Sequence, residues 1–179
     1  MRVLIDACVL YPTVLREIVI GTASRGLFTP LWSERILEEW RRAAEKRGET
    51  GIAEVEIAAL KALFPASMVS STAETEARLS LPDADDVHVL AAAIDGGADE
   101  LLTLNLKDFP TRTLARDDIQ LRAPDTFLLE LFHGNSRVLK DVLDAVMSKA
   151  AGHGIDTSNP RGLMKRARLP RLGKTVYAS

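Results

Sequence analysis

The chain has 179 residues, 46% of them hydrophobic and 27% charged, with a net charge of −2 and one cysteine. That length suits one domain with a substantial core plus an appendage and is too short for two comfortable domains. One cysteine excludes an internal disulfide framework and fits a reducing compartment, and neither a secretory leader pattern nor an apolar run of about 18 residues is present, so a cytoplasmic protein without a membrane is expected.

In chain order, Val3, Leu4 and Ile5 make the continuous apolar run that a strand covered on both faces requires, and it stops at Asp6. Asp6 is therefore either a satisfied strand-end polar group or a working carboxylate. The patterning predicts strands at Val3–Asp6, Ala66–Ser70, Glu100–Leu104 and Ile119–Leu121. Helices are expected at Thr13–Arg25, Glu34–Arg47, Ala53–Leu63 and Val87–Gly96. This alternation predicts an α/β domain with a mainly parallel sheet. Two further helices, Asp125–Phe132 and Ser136–Ala151, lead into "GHGIDTSNPRG", which has the composition of a linker. Trp40 is expected in the core, Cys8 as a small buried thiol and Arg16 as a solvated helix arginine. His88, His133 and His153 share no metal-ligand spacing, and His88 is expected to point away from Asp86.

Sites in open parallel α/β sheets form beyond the carboxyl ends of the strands, which is where Asp6 lies. In "LWSERILEEWRRA", Ser33 reads as an N-cap, and Ile36, Leu37, Trp40, Ala43 and Ala44 share one helical face. Glu38 falls nearly opposite that face and Glu39 near its edge, so Glu39 either looks inward or is an ordinary solvated flank. In "LPDADDVHVLAAAIDGGADELLTL", Val87, Leu90, Ala91 and Ile94 form an apolar face that ends at Gly96–Gly97. Asp83, Asp85 and Asp86 crowd the start of that helix. Asp83 as N-cap, with Asp86 in a capping-box-like role, would explain one or two of these acids, but three within four residues exceed what capping needs. In "TLNLKDF", Thr103, Asn105 and Asp108 supply oxygen groups where the next strand ends, although turn formation would also favour Asn and Asp there.

Taken together, "LIDA", "SERILEEW" and "LPDADDVHVLAAAIDGGADELLTLNLKDF" resemble the PIN domain, the fold of VapC-type toxin ribonucleases and related metal-dependent nucleases. The resemblance covers residues 1–135 and implies a three-layer α/β/α domain with a small parallel sheet. Residues 136–179 then form a C-terminal helical extension, linker and basic tail. The family's acids fall on Asp6, Glu39 and Asp86, with Asn105 at the fourth position and Asp108 shortly after. The resemblance thus implies Asp6, Glu39, Asp86 and Asp108 as catalytic residues, and Asp6, Asp86, Glu39 and Asn105 as ligands of Mg²⁺ or Mn²⁺. Clustered carboxylates repel one another unless a cation neutralises them, and a hard divalent ion suits such a set. Neutral Asn105 leaves one fewer charge for a second ion.

The activity implied is metal-dependent cleavage of RNA by the toxin of a type II toxin–antitoxin pair, with RNA as substrate, a cognate antitoxin as partner and a homodimer as the assembly. The alternative is a catalytically inactive PIN-like module that binds RNA or protein. A haloacid-dehalogenase-like phosphatase is disfavoured, because its signature wants a second Asp where Cys8 stands.

Charge is uneven along the chain: the segment from Arg161 onward has six Lys or Arg and no acid, against 17 basic and 25 acidic residues before it. Leu163, Met164, Leu169, Leu172 and Val176 interrupt these cations, so the tail is expected to dock on protein and leave some basic side chains free to meet RNA.

Overall fold

The computed structural model describes residues 1–178. Its strands are β1 (Arg2–Ile5), β2 (Thr29–Ser33), β3 (Met68–Val69), β4 (Glu100–Leu102) and β5 (Gln120–Arg122). Its helices are α1 (Ala7–Leu10), α2 (Thr13–Ser24), α3 (Glu34–Glu45), α4 (Thr50–Leu63), α5 (Ala73–Arg78), α6 (Val87–Asp95), α7 (Thr111–Leu114), α8 (Pro124–Gly134), α9 (Ser136–Gly152), α10 (Pro160–Arg166) and α11 (Pro170–Val176). Two compact units result, one of Met1–Tyr11 with Phe28–Arg122, the other of Pro12–Leu27 with the chain from Ala123 onward. Among the described residues, no helix is long and apolar enough to cross a membrane.

The first unit is built on a five-stranded sheet in the order β3-β2-β1-β4-β5, with every pairing parallel. The fold is α/β and consistent with a PIN-like three-layer arrangement. Strand β1 is central, and Val3, Leu4 and Ile5 are fully buried, which is why this strand reads as an uninterrupted apolar run. Pairing of Ile5 with Leu102 sets β1 and β4 in register. Asp6 N–H then bonds Leu102 O at 3.0 Å, so Asp6 and Thr103 leave the sheet side by side.

Strand β2 is absent from the expected elements, because "TPLWS" contains Pro30 and runs straight into the helix capped by Ser33. The register shows why Pro30 is tolerated. Trp32 N–H bonds Ser67 O on the β3 side, and Pro30, two residues earlier, faces the same way. Strand β3 begins only opposite Trp32, so the donor that proline lacks has no ladder partner to miss. Trp32 packs edge-on against Phe64, with ring centroids 6.0 Å apart. Helix α6 closes at Gly96 and Gly97, the latter at φ 60°. A Cβ at Gly96 would fall 2.9 Å from a Val69 methyl, so only glycine lets the helix end pass this close to β3.

In the second unit α2 packs on α9, α8 on α11, and α10 on α11. The linker is shorter than its composition suggests, since α9 runs to Gly152 and α10 begins at Pro160. Beyond it the chain is a helical hairpin whose Leu163, Met164, Leu169 and Leu172 are buried. A Cβ at Gly173 would lie 2.6 Å from Met164 Cβ, so this glycine sets how closely α10 and α11 approach. Arg16, expected to be solvated, is buried instead.

Asp125 ties α11 down. Its Oδ2 accepts from Arg171 N–H at 3.0 Å and its Oδ1 from Leu172 N–H at 2.9 Å, satisfying two otherwise orphaned donors at the helix start. Replacing Asp125→Ala removes two charge-assisted bonds and is expected to cost about 2–3 kcal/mol in urea unfolding, with Asp125→Asn costing less. An unchanged midpoint in Asp125→Ala would show that the carboxylate does not anchor the hairpin.

Candidate active site

Asp6 lies at the carboxyl end of the central strand and is only 4% exposed. Its backbone carbonyl accepts from Val9 N–H and Leu10 N–H, so helix α1 starts directly on it and fixes its position. Thr103 Oγ1 donates to its Oδ2 at 2.7 Å, and Cys8 Sγ donates to the same oxygen at 3.1 Å. Burial pushes the Asp6 carboxyl above its ordinary range, assisted by the charge of Glu39, while the bonds from Thr103, Cys8 and Ala7 N–H oppose that rise.

Cys8 is half-buried and belongs to this network rather than to the core. It lies 3.4 Å from Thr103 Oγ1 and accepts from Leu104 N–H at 3.3 Å. Burial first, and the Asp6 charge next, push its thiol up to about 12, so it stays protonated and remains a donor to Asp6. Thr103 Oγ1 also accepts from Asn105 N–H at 3.0 Å. Through these two side chains the loop that follows β4 is tied to the central acid.

Asp86 stands at the start of α6 and makes no side-chain cap bond. Capping falls to Asp83, whose Oδ1 accepts from Asp85 N–H at 2.9 Å, so the capping-box reading of Asp86 does not hold. The Asp86 carboxyl is pushed up to about 6, first by burial and then by the charges of Asp6, Asp83, Asp108 and Glu39. All four of these groups are acids. Asp108 is thus part of the same negative field from a half-buried position, and Asn105 is exposed on the loop before it.

Glu39 is held from α6. His88 is 2% exposed, and its Nε2 lies 2.5 Å from Glu39 Oε1. A carboxylate only accepts, so the proton of this bond sits on Nε2, and the buried Nδ1 has no hydrogen-bond partner among the described residues. Glu38 turns elsewhere, to Arg41 at 3.5 Å and Arg42 at 3.4 Å. The role of His88 was not legible in the sequence because its partner lies on a different helix, 49 residues away. Beside Glu39 a pocket of about 410 Å³ is lined by Tyr11, Arg42, Ala43, Lys46 and Arg47, with the Arg47 guanidinium 5.1 Å above the Tyr11 ring. The sequence offered one hint of this basic flank, namely that positions 39, 42, 43 and 46 share a helical face.

A model of the PIN domain family matches residues 2–107. The chain belongs to the PIN domain family. No curated protein and no solved structure matches it. PIN domains are generally nucleases and typically bind divalent metals. In this PIN domain the donors are the hard oxygens such ions take. Among the described residues, however, no three His, Cys, Asp or Glu side chains are placed so that they could hold an ion by themselves. The surrounding acids are near enough to add to the rise at Asp86, and Glu39 to that at Asp6, without forming a closed cage. That arrangement still fits Mg²⁺, which keeps several waters and binds through one or two carboxylates.

The electrostatics make a testable sign. An acid whose pKa is raised on folding keeps its proton longer in the folded chain, so it weakens stability as pH climbs from its ordinary 3.8 to about 6 and carries the full penalty above that. With chelator present, Asp86→Asn is expected to melt higher than the unsubstituted chain at neutral pH and to lose that advantage below pH 3.8. Thermal melts across pH check this, and equal melting temperatures at pH 7 would contradict it.

Proposed function

We propose that the PIN domain is a Mg²⁺- or Mn²⁺-dependent endoribonuclease centred on Asp6. The observation that carries this reading is the buried strand-end carboxylate of Asp6 together with an Asp86 pushed up by burial and then by four surrounding acids. Asp6 and Asp86 would hold the ion, with Glu39 and Asn105 completing its surroundings directly or through water. When bound, such an ion lowers the pKa of water and offsets charge developing on the scissile phosphate.

The chain's own residues do the rest. Thr103 and Cys8 keep Asp6 in one orientation, and His88 does the same for Glu39. Asp108, whose charge reaches Asp86, would orient an attacking water or accept its proton. Arg42, Lys46 and Arg47, which line the pocket beside Glu39, supply positive charge to the phosphates flanking the bond to be cut. Membership of the PIN family also supports the narrower reading as the toxin of a type II pair that acts as a homodimer and is held by a cognate antitoxin. The lone, protonated cysteine suits a reducing cytoplasm.

Purified protein is expected to cleave single-stranded RNA with Mg²⁺ or Mn²⁺, to stop with chelator and to recover when either ion returns. Asp6→Asn should lower the rate by orders of magnitude and leave the circular dichroism spectrum unchanged, since the lost group acts on the reaction and not through packing. Full activity in that variant would refute the assignment. RNA binding without cleavage under either ion would instead support the non-catalytic module.

A further inference from the structure

The C-terminal hairpin lies beyond the part of the chain that the family model covers. Its sequence mixes cations with apolar residues, and the fold separates them. Leu163, Met164, Ala167, Leu169 and Leu172 are buried, whereas Arg161, Lys165, Arg166, Arg168, Arg171 and Lys174 are all exposed. Apart from these six cations, the exposed described residues from Pro160 onward are Pro170, Thr175 and Ala178.

Compensation by acids is slight. Arg166 helps hold the Asp156 carboxyl low, after the hydrogen bonds of Ser158. Among the described residues none of the six forms an ion pair. Asp125 is occupied by the backbone of α11. Arg168 sits at φ 64°, the left-handed position after α10 that Gly or Asn fills with least strain, so even this position carries a cation. The whole second unit has 11 Lys or Arg against 6 Asp or Glu, so it is basic although the protein is not.

We infer that the α10–α11 hairpin is a binding surface for the sugar-phosphate backbone of single-stranded RNA. A membrane-surface helix needs an exposed apolar face, and here that face is buried. A protein partner would be met through aromatic or aliphatic anchors, and the exposed positions offer none. Unpaired cations without apolar neighbours match a phosphate chain, which is bound by displacing its counterions. The choice of RNA among phosphate chains rests on the nuclease reading above.

The test uses the full chain in chelator, so that binding is read whether or not RNA is cut. Anisotropy of a labelled oligouridylate is measured across salt for the unsubstituted protein and for Arg161→Gln, Lys165→Gln, Arg168→Gln, Arg171→Gln and Lys174→Gln combined. The combined variant is expected to bind at least about tenfold more weakly at low salt, and its log-affinity against log-salt slope should be shallower by about 0.7 for each phosphate that is no longer neutralised. A companion with Lys in place of Arg161, Arg168 and Arg171 keeps the charge and should keep the slope.

Single-stranded DNA of the same length should weaken in parallel, because the phosphates are shared. Unchanged affinity and slope, a loss confined to DNA, or a loss seen only on phosphatidylserine vesicles would each overturn the inference. If the combined Gln variant unfolds, Arg161→Gln with Lys165→Gln and Arg171→Gln with Lys174→Gln are measured as separate pairs: an unchanged slope in both overturns the inference, and a shallower slope in either supports it. Cleavage is scored separately with Asp6→Asn, so failure of the hairpin and failure of the nuclease reading are told apart.

Discussion

The site depends on one costly placement, a carboxylate buried at the end of the central strand. Removing a charge from water is expensive, and Asp6 is tolerated because donors surround it. Thr103 and Cys8 reach its Oδ2, and helix α1 starts on its carbonyl. Each partner is then fixed in turn. Thr103 must present a hydroxyl, Cys8 must remain protonated, and the loop bearing Asn105 and Asp108 is drawn in through backbone bonds to those two side chains. A one-residue slip between β1 and β4 would separate Asp6 from Thr103 and undo the arrangement.

Around this fixed acid the fold leaves negative charge uncompensated. Asp83 caps the short turn Ala84–Asp86 that leads into α6, and the Asp86 carboxylate makes no cap bond to the helix and meets the field of its neighbours. Glu39 is steadied by the ring Nε2–H of His88, while Glu38 one residue earlier takes the arginines. Cations therefore gather on the far side of Glu38 and in the pocket beyond Glu39, not among the acids. A site organised in this way is poorer in stability than it needs to be, and a bound cation would recover the difference.

Charge is divided between the two units as well. The first carries the acids of the site, and the α10–α11 hairpin of the second turns its leucines and Met164 inward and its cations outward. Buried leucines and Met164 dock the hairpin within its own unit, and the Asp125 bonds to the start of α11 fix it there. The same sequence segment thus provides both a core contribution and a free basic face.

The sequence by itself determined the class of fold, the central buried strand, most helices to within a few residues, and which acids were worth watching, because apolar periodicity and strand-end position are local properties. It also contained the mixed character of the tail. The strand Thr29–Ser33 was hidden, since a proline is compatible with a strand only where the neighbouring strand happens to be too short to need its donor. Tertiary structure alone decided that Asp86 is not a capping group, that Cys8 bonds Asp6, that His88 holds Glu39, and that α10 and α11 bury every leucine while exposing every cation. The His88–Glu39 contact spans 49 positions and the Thr103–Asp6 bond beside Cys8 spans 97, and the register of parallel strands and the packing of helices that set such distances are properties of the whole chain rather than of any stretch within it.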